Sequence, residues 1–226
     1  MLDKQFRTSF EKGVRPVGVS LRKIGVTADH LTATGVVMAV AAAVSLGFGH
    51  LHLGLLFLVL TGVPDMLDGA VAKASGTASP RGAFFDSVAD RVSDALLFGG
   101  VAWYFAANQP GLLVMLPLSV LALSMLISYE RAKAESMGFS ARGGIMERAE
   151  RMILLGLGLL FEVLLVPVLW VMLVLTAFTA VQRFVRVWQQ ASVARPGQAA
   201  TRRSARRRSA RRRTTRSWQS LRSGRR

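Results

Sequence analysis

Apolar residues come in long blocks along this chain, with little of the alternation a strand would show. Residues 31–49 form the first block, and residues 51–64 a second that runs on into Asp65 and Asp68 and ends near Lys73. Residues 82–107 open with Asp86, Asp90 and Asp94 and then turn apolar, and residues 111–129 form a fourth block. A bilayer core of roughly 30 Å needs about 20 apolar residues per helix. The stretch 152–181, interrupted by Glu162 and Pro167, is too long for one span. It predicts two helices, the first starting near Glu147, with 162–167 as the turn. The pattern therefore predicts an all-α integral membrane protein with six transmembrane helices.

Ahead of the first span, Phe6, Phe10, Val14, Val17, Leu21 and Ile24 recur at helical spacing, with Lys4, Arg7, Lys12, Arg15, Arg22 and Lys23 between them. This predicts an amphipathic interfacial segment over residues 1–28, broken near Gly13 and Pro16. A plain basic flank is the alternative. Residues 29–189 are the expected six-helix transmembrane domain.

Charge sharpens the topology. The chain carries a net charge of +16, but residues 191–226 hold thirteen Arg and no acid, so the body is nearly neutral. Residues 190–226 read as a disordered, Arg-rich cytoplasmic tail drawn to anionic lipid. Every Lys and Arg lies before residue 31, within 73–91, within 131–151, or from 183 onward. The loops at 50–54, 107–111 and 162–167 have none, which places them outside and both termini inside. Trp103, Tyr104 and Trp170 then fall near outer helix ends and Trp188 near an inner one. The absence of Cys excludes disulfides and thiolate metal sites. The first apolar run starts too deep for an ordinary signal peptide, so no cleaved segment is expected.

Asp65 and Asp68 are spaced i, i+3, and Asp86 and Asp90 i, i+4, so each pair shares a helix face. The two helices are consecutive and antiparallel, and the four carboxylates can converge at the cytoplasmic surface. Four uncompensated carboxylates at membrane depth are costly. Hard oxygen ligands favour Mg²⁺ or Mn²⁺ over zinc. Salt bridges to Lys73, Arg81 and Arg91 are the structural alternative. Gly69, Ala72 and Gly82 lie about one turn from these aspartates. Small residues there allow a bulky polar ligand close to the backbone.

From Asp65 the chain reads DMLDGAVAKASGTASPRGAFFDSVAD, or D-x2-D-G-x2-A-K-x8-G-x3-D-x3-D. This closely resembles the signature of the CDP-alcohol phosphotransferases, departing only at Lys73, where the family has Arg. An Arg grips phosphate through two parallel bonds and a Lys acts as a point charge. SYERAKAESMGF from Ser128, GGIMERAER from Gly143, VTADHLT from Val26 and VQRFVRVW from Val181 are similar to segments of actinobacterial phosphatidylinositol-phosphate synthases.

The resemblance implies transfer of the phosphatidyl group from CDP-diacylglycerol to inositol 1-phosphate, releasing CMP. It implies two Mg²⁺ ions (with Mn²⁺ an alternative) on Asp65, Asp68, Asp86 and Asp90, with Asp90 as the general base. For CDP-diacylglycerol it implies Asp29, His30, Leu31, Thr32, Gly69, Lys73 and Ser79, beside Ala72 and Gly82. Asp29 alone also reads as the N-cap of the first span. For the acceptor phosphate it implies Lys133, Arg151 and Arg183, which otherwise read as basic flanks. Asp94 falls one turn further on, as a partner of the site or a contact of Arg91 or Ser93. A homodimer in a bacterial membrane is also implied.

Three rival readings remain. Glycerol 3-phosphate or another polyol is a possible acceptor, because the core motif serves them all. An ion transporter fits poorly, because the carboxylates lie at one surface and not at midplane. A membrane-anchored nucleic-acid binder would rest on the Arg-rich tail alone; with one aromatic, Trp218, and no RNA-binding module there, no nucleic-acid partner is expected.

The charge pattern makes a topological prediction. Reporter fusions at His50, Asn108 and Val166 should report the outer side and fusions after Trp188 the inner side. An external C-terminus would overturn the paired reading of the last two helices.

Overall fold

A computed structural model describes residues 27–62, 79–109, 111–141 and 143–193. Among these residues the chain is helical, without strands. The elements are α1 (Ala28–Gly47), α2 (Leu51–Gly62), α3 (Pro80–Asn108), a 3-10 turn (Leu112–Val114), α4 (Met115–Met137), α5 (Arg148–Leu160) and α6 (Glu162–Val193). Helix α1, the run Leu112–Met137 and α6 are long and apolar enough to cross a membrane; α2 is apolar but shorter. Large apolar side chains such as Val37, Val59, Val174, Phe178 and Val181 point outward, as they do when lipid is the solvent. The protein is an all-α integral membrane protein. The amphipathic segment expected over 1–28 falls almost wholly, and the tail expected over 190–226 mostly, outside the described residues.

Local chemistry sets the helix ends. Thr27 caps α1: its hydroxyl accepts from the His30 N–H at 3.3 Å, and His30 Nδ1 accepts from the Thr27 N–H at 3.5 Å. Asp29 is therefore not the N-cap; it sits in the first turn, where a carboxylate complements the helix dipole. At the other end, the His50 N–H reaches the Ser45 carbonyl at 2.9 Å and Gly49 takes φ +84°. That left-handed closure suits glycine and turns the chain directly into α2. Helix α3 starts on Ser79, whose hydroxyl accepts from the Gly82 N–H at 3.1 Å, with Pro80 in the first turn.

The sequence pattern placed a turn at 162–167, and the structure corrects it. The chain breaks at Phe161 alone (φ −123°, ψ 97°), and α6 begins at Glu162 with Pro167 inside it. The turn can be this short because Gly158 lies against Leu165: a Cβ there would stand 3.3 Å from the Leu165 Cα. Glu162 accepts a 2.6 Å hydrogen bond from the Tyr104 hydroxyl, which tethers the start of α6 to α3. Helices α4 and α6 also run past their expected ends, to Met137 and Val193.

The chain forms two compact units. The first contains the described residues up to Met125 together with Met146–Thr176, and it holds the main core. Leu97, Phe98, Val101, Tyr104 and Phe105 form a buried stripe on α3, joined by Ala42 and Leu46 of α1, Leu51 and Leu58 of α2, Leu155 and Leu159 of α5, and Leu169 and Met172 of α6. Helices α1 and α3 run parallel. Gly82 meets Asp29 at one end, Gly100 crosses Ala43 further along, and Gly47 lies under the Trp103 ring at the other end. The second unit contains Leu126–Ile145 and the described residues from Ala177. There Arg183 donates to the carbonyls of Ile127 (3.0 Å) and Gly143 (3.4 Å), and Gln190 pairs with both backbone groups of Ser140.

The α1–α3 crossing makes a prediction. A Cβ on Gly100 would lie 2.6 Å from the Ala43 Cα and 2.8 Å from its carbonyl oxygen, and backbone cannot yield as a side chain does. Gly100→Ala should cost roughly 1–3 kcal/mol, in the range of overpacked cores. Gly99→Ala has nothing within 4 Å and should leave stability unchanged or slightly raised. Thermal unfolding of the two variants in one detergent decides between them.

Candidate active site

The parallel packing of α1 and α3 brings their N-termini to the same end of the first unit. Each presents unsatisfied backbone N–H groups and the positive end of a helix dipole there. Asp29 and Gly82 are neighbours: a Cβ on Gly82 would stand 3.7 Å from Asp29 Oδ1 and 3.4 Å from Ser79 Oγ. Arg81 approaches Asp29 at 3.8 Å and is largely exposed. Thr32 is buried and donates to the Ala28 carbonyl at 3.1 Å; Leu31 is half-buried and His30 exposed. Of the expected nucleotide-contacting residues, Asp29, Ser79 and Gly82 thus come together.

About two to four turns into α3 stand Asp86, Asp90 and Asp94, at successive i, i+4 positions. Asp86 and Asp90 are half-buried, and Asp94 is buried. Two arginines from the start of α5 reach them. Arg148 spans the pair, with Nη1 2.6 Å from Asp90 Oδ1 and Nε 3.2 Å from Asp94 Oδ1. Arg151 Nη2 lies 2.9 Å from Asp94 Oδ2, and both side chains of that pair are almost wholly buried, at 4% and 5% exposure. Arg91 takes the other oxygen of Asp90 at 3.1 Å. The salt-bridge alternative thus holds for Arg91 but not for Arg81, which pairs with Asp29. Asp94, expected either as a partner of the site or as a contact of Arg91 or Ser93, engages Arg148 and Arg151.

Arg148 is a residue that the sequence reading missed. The signal was available: Arg148 and Arg151 are spaced i, i+3 at the start of a helix, as Asp90 and Asp94 are spaced i, i+4. Two matched pairs on two helices are what a bridging network looks like from sequence.

Asp65, Asp68, Gly69, Ala72 and Lys73 lie outside the described residues. Among the described residues no three His, Asp or Glu side chains group to hold an ion. Asp86 and Asp90 nevertheless suit a divalent cation: two carboxylates on one helix face, half-buried, with oxygen as the only donor atom. Lys133 and Arg183 belong to the second unit. Lys133 is exposed, and Arg183 is 3% exposed with its guanidinium on two backbone carbonyls. Arg151 Nε in the first unit is buried without a hydrogen-bond partner among the described residues, where buried polar groups are as a rule satisfied.

Comparison with known proteins bears on this arrangement. The profile of CDP-alcohol phosphatidyltransferases matches residues 25–194. The phosphatidylinositol phosphate synthase of Mycobacteroides abscessus is 36% identical over 185 residues, covering 78% of this chain and 84% of that protein. The archaetidylinositol phosphate synthase of Methanothermobacter thermautotrophicus is 37% identical over 193 residues, covering 82% and 94%. The crystal structure of Mycobacterium tuberculosis phosphatidylinositol phosphate synthase with CDP-DAG bound superposes with a TM-score of 0.73 at 33% identity, covering 80% of this chain and 97% of that one. The same enzyme in complex with manganese and citrate gives 0.74 at 32% identity, covering 80% and 92%.

The buried pair makes the next prediction. Removing one partner of a buried ion pair typically costs about 3–5 kcal/mol, because a charge is stranded out of water. Asp94→Asn should therefore lower thermal stability severely, by more than Asp90→Asn, whose carboxylate is 21% exposed. Similar unfolding temperatures for the two variants would contradict this.

Proposed function

Because the chain belongs to the CDP-alcohol phosphatidyltransferase family, we propose that it transfers the phosphatidyl group of CDP-diacylglycerol to inositol 1-phosphate, giving phosphatidylinositol phosphate and CMP. The observation that carries this reading is the match to synthases of this name along most of the chain, together with Asp86 and Asp90 one turn apart on α3. The curated relatives named here carry inositol phosphate in their names whether the lipid part is phosphatidyl or archaetidyl. That supports a phosphorylated inositol as acceptor over glycerol 3-phosphate.

Asp86 and Asp90, with Asp65 and Asp68 of the signature, would hold two divalent cations, Mg²⁺ or Mn²⁺; a solved relative carries manganese. Such cations neutralise the diphosphate oxygens and ease the departure of CMP. Asp90 takes the proton of the acceptor hydroxyl as its oxygen bonds to the phosphorus that bears diacylglycerol. The bond from that phosphorus to the CMP phosphate oxygen breaks, and the electron pair leaves with CMP. Asp29, His30, Leu31, Thr32, Ser79 and Gly82, with Gly69, Ala72 and Lys73, receive CDP-diacylglycerol. The two helix N-termini beside Asp29 and Gly82 support a phosphate at that end.

Lys133, Arg151 and Arg183 receive the acceptor phosphate. The buried, unpartnered Nε of Arg151 supports its part in this. The enzyme works as a homodimer, with six spans and both termini in the cytoplasm, the side from which all but one of its charged residues are read to extend.

CMP release from CDP-diacylglycerol tests the reading. Release should depend on a divalent cation and vanish in Asp86→Asn. Inositol 1-phosphate should be preferred over glycerol 3-phosphate and free inositol. Lys133 is the best acceptor-side probe, because its exposure means that truncation spares the fold. A charge-assisted hydrogen bond is worth roughly 1.5–3 kcal/mol, so Lys133→Ala should raise the KM for inositol 1-phosphate about tenfold or more. The KM for CDP-diacylglycerol should stay nearly constant. Equal losses for both substrates would remove Lys133 from the acceptor site, and faster release with glycerol 3-phosphate would replace the acceptor.

A further inference from the structure

Asp90 is a proposed metal ligand, yet in this structure both its oxygens face guanidinium groups: Arg148 at 2.6 Å on one and Arg91 at 3.1 Å on the other. From this we infer that Arg148 is the counter-cation of Asp90 and competes for that carboxylate with a divalent ion, yielding it when the ion arrives. The inference rests on the reading of Asp90 as a metal ligand.

The network is asymmetric in a way that suits exchange. Its inner half, Asp94 with Arg151, is the more deeply buried, at 5% and 4% exposure. Its outer half, Asp90 with Arg148, is 21% and 23% exposed and open to an ion from solution. A divalent ion and a guanidinium that share one carboxylate repel strongly where water is scarce. One of them must give way. Arg91 is more exposed still, at 34%, and hangs on Asp90 from the adjacent position of the same helix. Arg148 binds with both its arms: Nη1 on Asp90 and Nε on Asp94. It can release Asp90 while its Nε stays on Asp94, so the displaced charge keeps a counter-ion and is never stranded. Asp94 is in this sense the pivot of Arg148. The arrangement keeps Asp90 compensated at membrane depth when no metal is bound, where a bare carboxylate is costly.

The experiment is Mn²⁺ titration of the full-length protein in detergent after chelation, with free Mn²⁺ read by electron paramagnetic resonance. Removing the competitor should help the metal, so Arg148→Gln should bind Mn²⁺ about tenfold tighter than wild type, the order of one lost charge contact near the surface. In chelator its unfolding temperature should fall below wild type, and Mn²⁺ should raise it by more. Arg148→Lys keeps the charge but cannot bridge two carboxylates, so its Kd should lie between the two. If the Gln variant does not fold, the Lys variant decides alone. Mn²⁺ binding that is unchanged or weaker in these variants would overturn the inference, because Arg148 would then be holding Asp90 in place for the metal. Asp86→Asn controls the underlying reading: if it binds Mn²⁺ as well as wild type, the aspartate site is misassigned and the inference falls with it.

Discussion

A carboxylate withdrawn from water has to be met by positive charge, and Asp94 is met by two arginines from a helix more than fifty residues away in the chain. That requirement ties α3 to α5. Neither partner of the Asp94–Arg151 pair has an inexpensive alternative, since each would otherwise be a buried, uncompensated ion. The pair adds little net stability over an apolar contact of the same volume, but it is strict about placement. Only one register of α5 against α3 puts Arg151 on Asp94 while Arg148 reaches both Asp94 and Asp90. Asp90 is thereby compensated by a residue of a helix distant in the chain.

The second constraint is the approach of α1 to α3. In lipid no hydrophobic drive pulls helices together, so close packing depends on small residues. Gly100 against the Ala43 backbone and Gly47 beneath the Trp103 ring supply it. Because the two helices are parallel, contact at the far end fixes the near end too, and Asp29 comes beside Ser79 and Gly82. The aspartates of α3 and the two helix N-termini therefore share one end of the first unit. Family relatives with CDP-DAG or with manganese bound have the same fold.

Much of this was legible from the chain alone. Apolar block length revealed the helices, because bilayer thickness sets a minimum that few other structures require. The loops at 50–54 and 107–111, without Lys or Arg, marked where the chain turns. The spacing of Asp65, Asp68, Gly69, Ala72, Gly82, Asp86 and Asp90 carried the family, because a helix converts i, i+3 and i, i+4 spacing into a shared face. The errors were local. Pro167 looked like a breaker, yet the break fell at Phe161, because the packing of Gly158 on Leu165 decides where two helices can fold back on each other. Asp29 looked like a cap, yet Thr27 with His30 forms a reciprocal pair that a single side chain cannot match.

Sequence by itself determined the solvent of this protein, its helices and its family. These rest on composition and on spacing within single helices, both of which are local. Tertiary structure alone decided the partner of each charge. It gave Asp94 to Arg151, shared Arg148 between Asp90 and Asp94, left Arg81 to Asp29, and committed Arg183 to the carbonyls of Ile127 and Gly143. Twenty-nine basic residues and thirteen acids allow very many pairings. The choice among them follows from desolvation, which depends on what surrounds a side chain once helices distant in the chain have packed.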